Sequence, residues 1–184
     1  MTSDMTDSTI ETLYEGKFLR LQKNGRWEYA ERVNARGAAF ILAVTAQQEI
    51  ILVEQHRVPL NRRTIELPAG IIGDLAEHAN EAVLDSAIRE LEEETGYRAA
   101  RAELVLEGPV AAGLTSEMLY LVHAKELVRV HDGGGDEHEN ITVHVVPLAQ
   151  AHEWLEHKRT QGLLIEPRIY TGLYFAQRTQ KQAP

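Results

Sequence analysis

Two apolar segments joined by a short polar link place the strongest limit on the fold of this chain. Residues 38–45 (AAFILAVT) and 49–55 (EIILVEQ) are rich in aliphatic and β-branched side chains, and Ala46-Gln47-Gln48 joins them. Continuous apolar runs of this length are typical of strands whose two faces are both buried. We therefore predict two central strands of a sheet that is covered on both sides.

An Asn-Gly dipeptide near the N-terminus indicates a β-hairpin. Residues 17–22 and 26–32 flank Lys23-Asn24-Gly25. Asn-Gly is preferred in two-residue type I′ turns because both central residues of such a turn have positive φ. We predict a β-hairpin within an N-terminal subdomain over residues 1–36, followed by the main domain over residues 37–184.

An amphipathic segment in the middle of the chain has the pattern of an α-helix. Between Glu81 and Thr95 the apolar residues Leu84, Ile88 and Leu91 recur at helical spacing. Gly96 follows at the position where a left-handed C-cap is favoured. We predict a helix that ends at this glycine.

The remaining segments alternate between strand-like and helix-like patterns. Strands are predicted at residues 64–67, 102–106, 118–124 and 141–146, and helices at residues 148–157 and 167–181. Residues 69–80 form a polar stretch between them. This order, without internal repeats or a dividing linker, predicts an α/β fold built on a mixed sheet.

Composition and charge exclude several classes of function. The net charge of −9 opposes binding to a nucleic-acid backbone, and the chain contains no cysteine for disulfides or thiolate metal sites. No apolar run approaches the length of a membrane span. We expect a cytoplasmic protein without nucleic-acid or membrane partners.

Three glutamates near the end of the predicted helix suggest a metal site. Glu90, Glu93 and Glu94 are three or four residues apart, so we predict that they project from one side, opposite the apolar residues. Like charges at this spacing repel, and the helix dipole disfavours anions in the last turn. A hard cation such as Mg²⁺ or Mn²⁺ would relieve this repulsion. The alternative is a solvated face whose glutamates pair with Arg89.

The sequence around these glutamates resembles the Nudix hydrolase box, G-x5-E-x7-R-E-U-x-E-E-x-G-U, in which U is an apolar residue. Glu81 and, after seven intervening residues, the segment RELEEETGY at residues 89–97 match the box without a gap. The glycine expected six residues before Glu81 is Leu75, whereas Pro68-Ala69-Gly70 matches the usual P-A-G segment. We therefore expect a loop over residues 71–80, five residues longer than the pattern.

The resemblance implies an α/β/α sandwich with a mixed sheet. It implies metal ligation by the carboxylates of Glu90, Glu93 and Glu94 and by the backbone carbonyl of Ala69. It also implies that Arg89 and Glu81 support these ligands, the first as an ion-pair partner and the second at the start of the helix.

Outside the box, the chain resembles the ADP-ribose pyrophosphatase and nucleoside-diphosphate-sugar branch of the family. The matching segments are EQHR at residues 54–57, ELPAG at residues 66–70, AGLTSE at residues 112–117 and the acidic loop GDEHEN at residues 135–140. Ala112 stands where the branch normally has proline. This departure concerns the substrate more than the reaction.

By this resemblance, substrate contacts fall on Arg57, Glu66 and Glu117. Trp27 is expected either to stack on the nucleobase or simply to pack within the hairpin. Glu137, or next to it Glu139, is expected to act as the catalytic base or as an extra metal ligand, with Glu94 in the catalytic set. We also expect that Gly133, Gly134 and Gly135 make the acidic loop mobile enough to close on the substrate.

The expected reaction is metal-dependent hydrolysis of the diphosphate bond in ADP-ribose or a related nucleoside diphosphate sugar. Its products are a nucleoside monophosphate and a sugar phosphate, and the resemblance implies a homodimer. Two alternatives stay open at this point. One is a Nudix hydrolase of nucleoside triphosphates, and the other is a non-catalytic domain that senses a nucleotide sugar.

Overall fold

The computed structural model describes residues 9–73, 81–135 and 140–182. Its N-terminal part is a three-stranded antiparallel sheet of β1 (Glu11–Glu15), β2 (Leu19–Asn24) and β3 (Trp27–Arg32). The predicted hairpin is confirmed as β2 and β3, and β1 extends it. The type I′ turn centred on Asn24-Gly25 is wrong, because Asn24 pairs with Trp27 and only Gly25 has positive φ, at 59°.

The main part of the chain contains two four-stranded sheets. Their strands are β4 (Gly37–Ala43), β5 (Glu49–Arg57), β6 (Arg62–Glu66), β7 (Ala69–Ile72), β8 (Tyr97–Pro109), β9 (Met118–Arg129), β10 (Thr142–Pro147) and β11 (Leu164–Ile165). The sheet orders are β7-β4-β9-β8 and β10-β5-β6-β11. Because β4–β9 and β6–β11 are parallel pairs among antiparallel ones, the predicted mixed topology is confirmed.

In the part of the chain that the structure describes, three α-helices cover the sheets on both sides. They are α1 (Val83–Thr95), α2 (Ala151–Thr160) and α3 (Arg168–Gln182). Within the described ranges, none of the helices is long and apolar enough to cross a membrane. Gly96 ends α1 with φ of 74°, and its N–H donates to the Glu92 carbonyl at 2.8 Å, which confirms the predicted C-cap.

Strand β4 lies between the two helical layers. Ala39 and Ile41 pack in one core with Leu91 of α1, whereas Phe40 and Leu42 pack in a second core that contains residues of α2 and α3. This division follows from the two-residue period of a strand. The fold is therefore an α/β/α sandwich.

The predicted loop over residues 71–80 begins too early. Ala69–Ile72 forms β7, which pairs with β4 in the register Ala69–Phe40 to Ile72–Gly37. The residues of this short segment alternate between partly and fully buried, and the segment is an edge strand of the sheet. Residues 74–80 lie outside the described residues.

Candidate active site

A cleft of about 540 Å³ opens where the N-terminal sheet, β6, β7 and the start of α3 meet. Arg57, Glu66 and Glu117 line it, as do Ala69 and Gly70 of β7. These residues come from separate parts of the sequence, so the fold itself assembles the cleft. It contains the predicted substrate-binding residues of the main domain and the corner where α1 approaches β7.

Glu94 is buried against this corner. Its side chain is on the face of α1 that packs on the sheet, and its carboxylate accepts a hydrogen bond from the Ala69 N–H at 3.0 Å. The prediction that the three glutamates lie opposite the apolar residues is therefore wrong. Glu94 is three residues after Leu91 and shares its side of the helix, whereas Glu93 is exposed.

Glu90 occupies the space that Gly70 leaves by having no side chain. A Cβ atom built on Gly70 would overlap Cγ and Cδ of Glu90 and would lie 2.5 Å from its Oε1. Real Cβ atoms do not approach other heavy atoms this closely. The glycine therefore lets the carboxylate of Glu90 reach the backbone of β7, next to the end of the helix that carries Glu94.

Arg89 connects the acidic residues around the helix. Its guanidinium pairs with Glu81 at 3.1 Å, Glu90 at 3.0 Å and Glu93 at 2.9 Å. Burial alone would lower the pKa of Arg89, but the hydrogen bond to Glu81 and the charges of Glu90 and Glu93 raise it. The structure shows the predicted pairing of Arg89 with Glu93, and it adds a pair between Arg89 and Glu81 that the sequence did not predict.

The donor set at this corner fits a divalent cation. Glu90 and Glu94 of α1 place carboxylate oxygens next to Gly70 and Ala69 of β7, and Ala69 also has a backbone carbonyl in this short strand. Hard oxygen donors of this kind suit Mg²⁺ or Mn²⁺. Among the described residues, however, no group of three acidic or histidine side chains is already arranged as a metal site. Glu93 pairs with Arg89 instead.

A buried glutamate orients Arg57 in the cleft. Nε and Nη2 of Arg57 donate to the two carboxylate oxygens of Glu66, at 2.8 Å and 2.6 Å. Burial alone would raise the pKa of Glu66, but the hydrogen bonds from Arg57 and Thr64 outweigh it and lower the pKa. Glu66 is therefore a carboxylate that holds the guanidinium in a fixed direction.

Glu117 also forms an ion pair at the cleft, with Arg32 of β3. The loop that carries Glu117 is joined to β3, because the Ala30 N–H donates to Leu114 and the Ser116 N–H donates to Ala30. These bonds attach the N-terminal sheet to one wall of the cleft. Sequence reasoning missed Arg32, because it is 85 residues from Glu117 and no local pattern connects the two.

Trp27 is not among the residues that line this cleft. It begins β3, its side chain is half-exposed, and the guanidinium of Arg26 lies 5.9 Å from its ring. Within one copy of the chain, the structure therefore does not bring Trp27 to the other predicted substrate-binding residues.

The glycine segment before the acidic loop packs on the end of α1. The N–H groups of Gly134 and Gly135 donate to the carbonyls of Glu94 and Glu93, at 2.8 Å and 3.1 Å. The last carbonyls of a helix have no partner within the helix, so these bonds satisfy them. The described glycines are therefore attached to the end of α1, and the expected closure of the acidic loop stays a prediction. Glu137 and Glu139 lie outside the described residues.

Comparisons with known proteins agree with this architecture. A model of the NUDIX domain matches residues 34–164. An ADP-ribose pyrophosphatase of Bacillus subtilis is 34% identical over 155 residues, which cover 79% of this chain and 80% of that protein. A methanol dehydrogenase activator of Bacillus methanolicus is 32% identical over 162 residues, which cover 83% and 85%.

A solved structure described as an ADP compounds hydrolase has the same fold. It superposes with a TM-score of 0.71 and covers 94% of this chain and 92% of its own, at 20% sequence identity. The domain model matches well over half of the chain, and the relatives exceed 30% identity over about four fifths of it. The chain therefore belongs to the Nudix hydrolase family.

Proposed function

We propose that this protein is a metal-dependent pyrophosphohydrolase that cleaves the diphosphate bond of ADP-ribose or a related nucleoside diphosphate sugar. The observation that carries the proposal is the cleft, in which an arginine held by a buried glutamate lies near two further glutamates at β7. Similar proteins of Bacillus subtilis and Escherichia coli, both named ADP-ribose pyrophosphatase, support the choice of substrate class.

The proposed metal ligands are Glu90, Glu93, Glu94 and the Ala69 carbonyl, with Mg²⁺ as the ion and Mn²⁺ as a substitute. When bound, the ion would neutralise the diphosphate oxygens and stabilise the charge that develops on them. The Ala69 N–H orients the carboxylate of Glu94 by a hydrogen bond. The side chain of Glu90 lies against Gly70, where the absence of a Cβ atom leaves room for it. Glu93 would join the set if its carboxylate turned away from Arg89.

Arg57 is proposed to bind a phosphate oxygen of the substrate. Its planar guanidinium is fixed by two hydrogen bonds to Glu66, so little conformational freedom is lost when an anion binds. Glu117 lines the same cleft and is proposed to contact the substrate beside Arg32. The assignment of the base to Glu137 or Glu139 stays a prediction from the sequence.

The alternatives are less well supported by the cleft. The Arg57–Glu66 pair and Glu117 line one cavity, and the segments that carry them resemble the ADP-ribose branch, which weighs against a hydrolase of nucleoside triphosphates. A non-catalytic sensor would not need carboxylates at the corner of α1 and β7. Both Glu90 and Glu94 are present there, and Glu94 is buried at a cost that a sensor would not require.

Product analysis tests the proposed reaction. The purified protein is incubated with ADP-ribose, a GDP-sugar, a UDP-sugar and dGTP, each with and without Mg²⁺. We expect release of AMP and ribose 5-phosphate from ADP-ribose only when the metal is present. Turnover of dGTP alone would favour the triphosphate hydrolase, and no turnover of any compound would favour the sensor.

Two substitutions on α1 separate a metal ligand from a surface glutamate. Glu94→Gln keeps the size of the buried side chain but removes its charge, so we expect kcat to fall at least about 100-fold. Glu92→Gln is the matched control, because Glu92 pairs with Arg98 at the surface of the same helix. Both variants should unfold at a temperature close to that of the unchanged protein. Equal activities in the two variants would contradict the role of Glu94.

A homodimer formed through the N-terminal sheet is the second part of the proposal. The sheet leaves several large apolar side chains exposed, and they include Leu13, Tyr14, Phe18, Leu19 and Trp27. Exposed apolar side chains that form a continuous patch are typical of protein interfaces. We propose that residues 1–36 form the dimerisation subdomain, and that Trp27 contacts the nucleobase in the partner's cleft.

Sedimentation equilibrium checks this assembly. The expected mass is twice the 20.7 kDa of one chain. Tyr14→Glu places a charge in the proposed interface and should shift the measured mass to that of one chain. Val128→Glu is the control, because it changes an exposed apolar residue of β9, outside the N-terminal sheet, and should leave the dimer intact. A single-chain mass for the unchanged protein would contradict the proposed dimer.

A further inference from the structure

Three arginine side chains line the cleft, although the chain as a whole carries a net charge of −9. Each arginine forms an ion pair with a glutamate. The pairs are Arg32–Glu117, Arg57–Glu66 and Arg168–Glu166. In every pair the arginine side chain is more exposed than the glutamate side chain. The exposed fractions of arginine and glutamate are 30% and 16% for Arg32–Glu117, 41% and 6% for Arg57–Glu66, and 31% and 20% for Arg168–Glu166. The cationic ends are therefore the ends available to a ligand.

Arg168, the first residue of α3, is held in place from several sides. Its Nε lies 2.7 Å from Oε1 of Glu166, and its backbone N–H donates to Oε2 of the same carboxylate at 3.0 Å. Its guanidinium carbon lies 5.7 Å from the centre of the Phe40 ring, within the range of a cation–π contact. The side chain is therefore ordered before any ligand binds.

The outer edge of this guanidinium is the part that a ligand would meet. Among the described residues, no hydrogen-bond acceptor contacts either Nη group of Arg168. A guanidinium carries four N–H bonds on these two groups, and their fork geometry matches a phosphate or carboxylate. Arg57 differs, because it directs Nε and one Nη group at Glu66.

Arg168 and Arg57 both act on one buried carboxylate. Glu66 holds Arg57 directly, and the positive charge of Arg168 also acts on Glu66. All three residues line the same cleft as Ala69 and Gly70. A diphosphate carries several nonbridging oxygens, so two arginines in one cleft have separate oxygens to bind.

We propose that Arg168 is a second phosphate-binding residue of the cleft, whose Nη groups bind a nonbridging phosphate oxygen of the substrate near Arg57. The inference rests on the proposed function for the identity of the substrate. The chemistry that it assigns to Arg168 requires only a phosphate or diphosphate anion. No pattern in the sequence points to this residue, because it lies far from the Nudix box.

Kinetics with ADP-ribose and Mg²⁺ test this role. Arg168→Gln removes a charged hydrogen-bond donor, so KM should rise roughly 10- to 100-fold, with a smaller change in kcat. Arg168→Lys keeps the charge but loses the fork, so KM should rise by a smaller factor, about 3- to 10-fold. Arg159→Gln is the matched control, because Arg159 forms an ion pair with Glu156 on the exposed side of α2, outside the cleft. Its KM should stay within about twofold.

Binding of inorganic pyrophosphate separates this inference from the proposed function. Calorimetry in the presence of Mg²⁺ should show a dissociation constant for Arg168→Gln that is raised by a factor similar to that of KM. If the unchanged protein hydrolyses none of the nucleotides but Arg168→Gln still weakens pyrophosphate binding, the proposed function is wrong and the role of Arg168 stands.

Three outcomes would overturn the inference. The first is an unchanged KM and an unchanged dissociation constant in Arg168→Gln. The second is an equal effect in Arg159→Gln, which would show a response to overall charge. The third concerns the case in which thermal unfolding shows that Arg168→Gln does not fold. The test then uses Arg168→Lys, and an unchanged KM and an unchanged dissociation constant for pyrophosphate in that variant would refute the inference.

Discussion

Gly70→Ala is the substitution that tests most directly how β7 positions the carboxylate of Glu90. The added Cβ would overlap Cγ and Cδ of Glu90 and would lie 2.5 Å from Oε1, whereas ordinary contacts begin at 3.4 Å. The carboxylate must therefore move by roughly 1 Å or more. A displacement of this size in a catalytic group lowers rates by about 100-fold.

The fold should tolerate this change. The atoms that clash belong to a flexible side chain that is partly exposed, so a change of its rotamer relieves the clash without a shift of the backbone. We expect the free energy of unfolding to change by no more than about 1 kcal/mol. The assay is the rate of AMP release from ADP-ribose over a range of Mg²⁺ concentrations. The variant should need more Mg²⁺ as well as turning over more slowly.

Gly108→Ala is the matched control for this prediction. Gly108 lies in β8, and a Cβ built there meets no heavy atom within 4 Å. This variant should keep the activity of the unchanged protein. If Gly70→Ala also stays within about threefold of that activity, or if both variants lose it equally, the position of Glu90 does not control the reaction.

Two further substitutions test other contacts of the structure. Gly133→Ala places a Cβ atom 2.7 Å from the Glu94 carbonyl oxygen, at a residue whose φ is 72°. In urea denaturation it should lower the free energy of unfolding by at least ~1 kcal/mol more than the control Gly25→Ala, because Gly25 has a similar φ but no heavy atom within 4 Å of an added Cβ. Equal losses of stability in the two variants would contradict the packing of the glycine segment on α1. Burial alone would raise the pKa of Glu54, but His144 and Arg63 lower it, so its stabilising effect is present above about pH 4.5 and is lost as the pH falls through the lowered pKa. The stability difference between the unchanged protein and Glu54→Gln should therefore narrow between pH 5 and pH 3, and a difference that does not vary with pH would contradict this assignment.

Much of the fold was predictable because the relevant signals are local. The apolar runs at residues 38–45 and 49–55 correspond to β4 and β5, and the periodic segment before Gly96 corresponds to α1. Strand β7 was missed because it has only four residues and follows the loop signal Pro68. Its identity as a strand depends on pairing with β4, which is far away in the sequence.

The candidate site was predictable only in part, for the same reason. The spacing of residues within α1 indicates that Arg89 reaches Glu93, and the structure shows that pair. The same spacing does not show which side of the helix packs on the sheet. Glu94 was therefore assigned to the wrong side, although it is buried against Ala69.

The three Arg–Glu pairs of the cleft offer a physical reason why an acidic protein could bind the anionic ligand that we propose. An arginine without a partner would be mobile, and fixing it on a phosphate would cost conformational entropy. A glutamate removes this mobility but also cancels the charge at long range. The saving in conformational entropy outweighs the lost charge only when the glutamate is more buried than the arginine, because the ligand then contacts the guanidinium first. Arg57 and Glu66 show this asymmetry most strongly, which supports the proposal that Arg57 is the principal anion contact of the cleft and that Arg168 assists it.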